Sequence, residues 1–260
     1  MTSTPTLYAI GVGPGASDLM TLRAVRLLQS LPVIGIPVKH TDDTRSMAWD
    51  IVTGAIAEHE MPGERCYLHF PMVRDHTITV PAWRRAAEQL AEHLRAGRDV
   101  GFILEGDPSV YGTWSYIQEE LRHIMPDLRT EIVPAVSSIT AVPSVTGIPL
   151  VDGEERFCVV PALYGIQMLP RLLEEFDTIM LIKAGNVLND LIPLLERHQL
   201  LDCATYVSHA TGARQECYTN LRDVPDENRY FAMIQLSVRG RRGVLRFGTT
   251  QAERMQEPAA

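Results

Sequence analysis

Residues 8–28 read YAIGVGPGASDLMTLRAVRLL, and the fold class turns on how this stretch divides. Tyr8 to Val12 is a short apolar run ending in glycine, the pattern of a buried strand. Gly11-Val12-Gly13-Pro14-Gly15 then turns the chain with almost no side-chain bulk. Leu19, Leu22, Val25 and Leu28 recur at helical spacing behind Ser17 and Asp18, either of which is placed to cap a helix N-terminus. The stretch reads as strand, glycine turn and helix, the opening unit of a parallel α/β sheet.

The same alternation continues outward. Strands are expected at Val33 to Ile36, Tyr67 to Phe70, Val100 to Leu104 and Glu131 to Val133. Between the third and fourth strands, Trp83, Ala86, Ala87, Leu90, Ala91 and Leu94 make one apolar helical stripe with Gly97 as its C-terminal stop. Trp114, Ile117, Leu121 and Ile124 make another, with Glu119, Glu120 and Arg122 outside it. These elements predict a five-stranded, mostly parallel N-terminal α/β domain over residues 1–135. Residues 136–260 change texture, with strands at Cys158 to Val160, Thr178 to Ile182, Thr205 to Val207 and Phe231 to Val238, and helices over 137–146, 167–175 and 187–198. A hairpin turning through Arg239 to Gly243 into Val244 to Phe247 completes a C-terminal mixed-sheet α/β domain.

Composition narrows the partners. The 260 residues are 45% hydrophobic and 22% charged, as in an ordinary globular chain, and their formal charge of −8 opposes broad attraction to nucleic acid or an anionic membrane. A small-molecule substrate is expected. The start, MTSTPTLYAIGVG, lacks a basic region followed by a long apolar one, so a cytoplasmic protein is expected. Cys66, Cys158, Cys203 and Cys217 form no C-x-x-C pair, so neither zinc nor a redox dithiol is signalled, and reduced, mostly buried thiols are expected. Arg239, Arg241 and Arg242, interleaved with Gly240 and Gly243, read as a charged hairpin tip rather than a nucleic-acid patch.

The glycine turn formally fits the G-x-G-x-x-G/A pattern of a dinucleotide site, yet two details oppose that reading. Pro14 puts a ring where a pyrophosphate needs backbone N–H donors, and the second strand ends in Gly35-Ile36-Pro37 without a carboxylate for a ribose hydroxyl. What remains is a bare backbone at a strand's carboxyl end, where open α/β sheets bind their ligands.

Three blocks are more specific together than any one alone: GVGPGASDLMTLRAVRLL (11–28), EGDPSVYGTWSYI (105–117) and VPAVSSITA (133–141). In this order and spacing they resemble the tetrapyrrole methylase family, whose usual wording is G-x-G-P-G, G-D-P and P-G-[VIT]-[ST]-[SA]. The further wording ERCYLHFPMVRD (64–75), PAWRRAAEQL (81–90), the Y-G-T-W-S-Y stretch and GIPLVDGEERFCVVPA (147–162) resembles the precorrin-2 C20-methyltransferases within that family. Pro134-Ala135 departs from the usual P-G. An alanine there either strains a turn that needs positive φ, at ~1 kcal/mol, or narrows a groove.

The resemblance implies a two-domain fold with the cofactor in a cleft between the domains, a homodimer, and S-adenosylmethionine-dependent methylation of C20 of precorrin-2 or its cobalt-loaded counterpart. Uroporphyrinogen III or another corrinoid intermediate is the alternative acceptor. It implies cofactor contacts at Pro14, Gly106, Asp107, Val110, Ser137, Ser138, Ile182, Lys183, Ala184, His209 and Ala210. Substrate contacts are implied at Gly13, Gly15, Lys39, Arg45, Arg74 and Tyr111. The acceptor is a polycarboxylate, which makes Lys39, His40, Arg45, Arg74, Arg84 and Arg85 candidate anchors, in loops and a helix start above the first domain's binding edge. Methyl transfer from a sulfonium needs geometry rather than a protein-bound metal or nucleophile, in keeping with a sequence that carries no Ser-His-Asp, H-E-x-x-H or Cys/His metal spacing. His69 and His209 read as polar core or pocket residues, with a base as the alternative; no catalytic residue is assigned.

Overall fold

Parallel strands buried on both faces need continuous apolar runs, and the central strands of the first sheet have them. In chain order the elements are β1 (Thr6–Gly11), α1 (Leu22–Leu28), β2 (Val33–Val38), α2 (Met47–Ala55), β3 (Glu64–His69), α3 (His76–Arg95), β4 (Val100–Leu104), α4 (Trp114–Ile124) and β5 (Arg129–Val133). The structure is a computed structural model that describes residues 4–225 and 231–238, the side chains of 163 and 164 apart. Its strands pair in the order β3-β2-β4-β1-β5, every pair parallel. The edge strands β3 and β5 are the polar ones, which suits strands half in water.

Alternate residues divide the core. Leu7, Ala9, Phe102 and Leu104 face the Ala86, Leu90 and Leu94 stripe of α3 and Trp114, Ile117 and Leu121 of α4. Ile10, Ile34, Ile36 and Ile103 face Ala24 and Leu28 of α1 and Trp49 and Val52 of α2. After α3, Gly97 at φ 76° gives its N–H to Leu94, and Arg98 gives its N–H to His93, the paired bonds of a Schellman stop.

Three expectations for this unit change. Ser17 and Asp18 do not cap α1: they lie in a 3₁₀ turn, Ser17–Leu19, and Thr21 caps instead, its side chain accepting from Ala24 N–H at 3.2 Å. Leu22 points outward, 72% exposed, because Ala24 and Leu28 carry the buried face. Helix α3 begins at His76, capped by Asp75, so Pro81 lies inside it and Arg84 and Arg85 fall in its body rather than at its start.

In the second unit the elements are α5 (Ser138–Thr146), β6 (Phe157–Pro161), α6 (Ala162–Gly165), α7 (Leu169–Glu175), β7 (Thr178–Ile182), α8 (Leu188–Arg197), β8 (Ala204–Ser208), β9 (Glu216–Tyr218) and β10 (Ala232–Ser237). The order is β6-β7-β10-β8-β9, parallel between β6 and β7 and antiparallel elsewhere, so the expected mixed sheet is present. Ile179, Leu181, Tyr206 and Ile234 pack on one face with α7 and α8, while Met180, Ile182, Val207 and Met233 pack with Ala141 and Val142 of α5 on the other. Buried Gln235 is fully engaged: its Nε2 donates to the carbonyls of Ile148 (2.9 Å) and Pro149 (3.2 Å), and its Oε1 accepts from Thr146 (3.1 Å). The hairpin expected over 239–247 lies outside the described residues.

Internal contacts divide the chain after Ser138. The first unit also takes in Thr211–Ala213, and the second runs from Ile139 to Ala210 and resumes at Arg214. None of the cysteines is fully buried, against expectation: Cys66, Cys158 and Cys203 are half-buried and Cys217 is exposed, because each lies on an edge strand or in a short turn.

Candidate functional site

In the first sheet β1 and β4 are neighbours whose crossovers leave in opposite directions, β1 toward β2 and β4 toward β5. The carboxyl ends beside such a switch point are where open α/β sheets bind ligands. Both ends here are glycine loops, and they are joined: Gly106 N–H donates to Gly13 O at 2.7 Å and Gly13 N–H donates to Gly106 O at 3.4 Å. Gly13 at φ 90° and Gly106 at φ 66° adopt backbone that other residues rarely take, and a Cβ on Gly106 would meet no atom within 4 Å. The strand end therefore presents backbone to open space.

Asp107 ties two loops together, its own after β4 and the one after β5. Its Oδ1 accepts from Ser109 N–H (2.8 Å), its Oδ2 accepts from Ala135 N–H (2.9 Å), and its carbonyl accepts from Val110 N–H (3.1 Å). The turn-forming role of an aspartate before proline is thus filled, and the same carboxylate anchors the segment after β5. Ala135 is not strained: the non-glycine residues with positive φ among those described are Tyr111, Lys183, Gln199, His209 and Thr211. Its methyl lies over the bare Cα of Gly11, where an added Cβ would stand 2.6 Å away. A missing side chain on β1 thereby makes room for the alanine.

Pro14, Gly15, Val110, Ser137 and Ser138 lie half-buried along the same edge of the first unit, and Ala16 N–H donates to Thr211 Oγ1 at 3.2 Å. Tyr111 is 51% exposed with φ 50°. In the second unit, Ile182-Lys183-Ala184 follows β7 and His209-Ala210 follows β8, two strands running the same way on either side of β10. Ile182, Ala184 and Ala210 are buried, Lys183 is exposed, and His209 donates its N–H to Phe231 O at 2.9 Å with the rings 5.8 Å apart. Lys183 (φ 57°) and His209 (φ 47°) are both left-handed. Strain at matching strand ends, in residues that are not glycine, is a mark of functional positions.

The basic residues are less concentrated than expected. Arg45 is already bridged to Asp43 (3.0 Å) and Arg84 to Glu120 (3.2 Å); Arg74 and Arg85 are exposed. Lys39, just past β2, is exposed near a residue the sequence reading passed over, Glu105, at the end of β4. Burial pushes the Glu105 carboxyl from 4.5 up to about 7, against the pull of Lys39 and a backbone hydrogen bond from Ala48, while Asp50 adds to the rise. The signal was present as an acidic residue where an apolar strand should end. His69, at the end of β3, is bonded through Nε2 to Lys39 O at 3.1 Å. Among the described residues no group of three or more His, Cys, Asp or Glu is arranged to hold a metal, and no helix is long and apolar enough to cross a membrane.

Comparison with known proteins bears on the fold and the family. Over 230 residues the chain is 32% identical to a cobalt-precorrin-2 C(20)-methyltransferase of Salmonella typhimurium, covering 88% of this chain and 94% of that one. It is 27% identical to a precorrin-2 C(20)-methyltransferase of Sinorhizobium sp., covering 88% and 93%. Its fold is similar to a uroporphyrin-III C-methyl transferase from Thermus thermophilus complexed with S-adenyl homocysteine, with a TM-score of 0.60 at 24% identity over 89% of this chain and 92% of that one. Residues 6–225 match the family described as Tetrapyrrole (Corrin/Porphyrin) Methylases. With that match over most of its length, and with the glycine loops that carry the family wording joined at the switch point of its first sheet, the chain belongs to the tetrapyrrole methylase family.

Proposed function

We propose that this protein methylates C20 of precorrin-2 or of its cobalt-loaded counterpart, using S-adenosylmethionine, in cobalamin biosynthesis. The Gly13–Gly106 bridge supports the cofactor part of this reading, since it presents unobstructed backbone where a ligand approaches. The acceptor part rests on the activities named for the relatives that align over most of this chain.

When bound, S-adenosylmethionine supplies an electrophilic methyl whose leaving group is a neutral thioether. This chain supplies placement, which is where most of the acceleration of such a displacement comes from. Asp107 fixes the loops after β4 and β5 relative to each other, so Gly106, Val110, Ser137 and Ser138 offer N–H and hydroxyl groups at set positions. Lys183-Ala184 and His209-Ala210 offer the corresponding strand-end backbone of the second unit. Gly13, Gly15, Lys39, Arg45, Arg74 and Tyr111 are the positions proposed to meet the tetrapyrrole. On the family resemblance we read the protein as a cytoplasmic homodimer; light scattering at a subunit mass of 29.0 kDa tests the dimer.

The deciding experiment is an anaerobic assay with methyl-labelled S-adenosylmethionine and, in separate reactions, precorrin-2, cobalt-factor II or uroporphyrinogen III, locating the label by NMR. Label at C20 is expected, and the preferred acceptor identifies the metal-free or cobalt-loaded branch. Label in uroporphyrinogen III instead would move the protein to another acceptor within the family.

A further inference from the structure

Strands β2 and β4 pair only from Val33↔Val100 to Gly35↔Phe102, although both continue further. Pro37 lies beyond the last of these pairs; it has no N–H to donate. At the carboxyl edge the ladder between these strands has therefore lapsed, while β1 and β4 stay paired through Gly11↔Leu104. Glu105 follows directly. By strand alternation it shares the Ile103 face, toward α2, where its carboxyl accepts a backbone hydrogen bond from Ala48 and feels the charges of Lys39, just past β2, and of Asp50 on α2. On one side is Lys39 and on the other the Gly13–Gly106 bridge; Lys39 and Gly13 are proposed to meet the tetrapyrrole and Gly106 the cofactor.

We propose that Glu105 is the base that receives the proton lost from C20, with Lys39 holding its carboxylate at the edge. The inference rests on the C20 acceptor reading above. The bridge π pair forms the C20–CH₃ bond while the C–S pair of the sulfonium returns to sulfur, leaving C20 bonded to both methyl and hydrogen and the macrocycle positive. Transfer of that hydrogen to a Glu105 oxygen as a proton returns the C–H pair to the ring and restores conjugation, and the proton then passes to water.

The neighbouring groups are less suited. Both oxygens of Asp107 already accept backbone N–H groups, His69 is held to Lys39 O, and Asp50 is exposed to water. A carboxyl poised near neutrality is also the better base at physiological pH than one that ionises at 4.5.

The test compares wild type with Glu105→Gln in single turnovers on precorrin-2, following S-adenosylhomocysteine and the product chromophore separately. In the variant, S-adenosylhomocysteine is expected to form at nearly the wild-type rate while the conjugated product appears roughly 10²-fold more slowly. Wild type should show a rising limb near pH 7, and that limb should be missing from the variant. Glu105→Asp, which keeps the charge, should retain the limb at a lower rate and covers the case in which Glu105→Gln does not fold. An independent readout is the ¹³C shift of the Glu105 carboxyl, which should titrate near neutrality and move when precorrin-2 binds with S-adenosylhomocysteine. Wild-type chromophore kinetics in Glu105→Gln, or a carboxyl shift indifferent to precorrin-2, would overturn the assignment of Glu105 alone. No methyl transfer by wild type would overturn the acceptor reading, and this inference with it.

Discussion

Glu105 directly follows a strand whose residues are all buried, and its carboxyl pays for that position in solvation, which makes its ionisation a property of the fold. Unfolded, it ionises near 4.5; folded, at about 7. Between those values the folded chain holds a proton that the unfolded chain has released, so stability falls as pH rises through the window and levels off above it. Glu105→Gln removes this slope. Urea midpoints should therefore show the variant gaining on wild type from pH 4.5 to about 7, and a difference that stays constant with pH would mean that the carboxyl ionises normally. Lys183 illustrates strain rather than charge. At φ 57° any residue with a Cβ is disfavoured, so Lys183→Gly should be about 1 kcal/mol more stable than Lys183→Ala by urea unfolding. If the left-handed backbone serves the cofactor, the more flexible glycine variant should nonetheless bind S-adenosylhomocysteine more weakly by calorimetry.

Where elements meet, the ends of β1, β4 and β5 interlock through atoms that are missing. A Cβ on Gly11 would stand 2.6 Å from Ala135 Cβ, 2.7 Å from Gly106 O and 2.8 Å from Pro108 Cδ. Gly11→Ala should destabilise the protein by about 1–3 kcal/mol. Adding Ala135→Gly removes one of the three clashes, so the double variant should be more stable than the sum of the single effects, a coupling that urea unfolding of all four proteins measures directly. This junction also marks how far the elements could be read in advance. Buried strands such as Val100–Leu104 and Thr178–Ile182 were legible because apolar runs between turn residues have few other uses. Helix α2 was not, because the polar run before Ser46 hid its cap, and β9 was not, because three residues at a sheet edge show no period. The apolar stripe from Trp83 to Leu94 located α3 but not its start, which lies upstream at His76 with Pro81 inside the helix. The glycine loops were visible as motifs, whereas Glu105 was not, since its meaning depends on Lys39 and Asp50, which neighbour it only in space.

Across the whole molecule the difficulty is electrostatic: a chain of net charge −8 is proposed to take a polycarboxylate. Several of its arginines are already answered by carboxylates, Arg45 by Asp43, Arg84 by Glu120, Arg65 by Glu58 and Arg98 by Glu64. At long range the substrate therefore meets a repulsive surface, and only at contact can Lys39 and Arg74 act on individual carboxylates. Screening separates the two ranges. The Debye length is about 30 Å at 0.01 M salt, comparable with the molecule, but about 10 Å at 0.1 M, where only local pairs are felt, and about 3 Å at 1 M. Initial rates with precorrin-2 should thus give a kcat/KM that rises between these first two salt concentrations, as the long-range repulsion is screened, and falls toward the third as the contacts weaken. A steady fall from the lowest salt would mean that local cations govern approach from the outset. The binding edge would then be more basic than the pairings of Arg45 and Arg84 allow, and those two ion pairs would have to open when the substrate arrives.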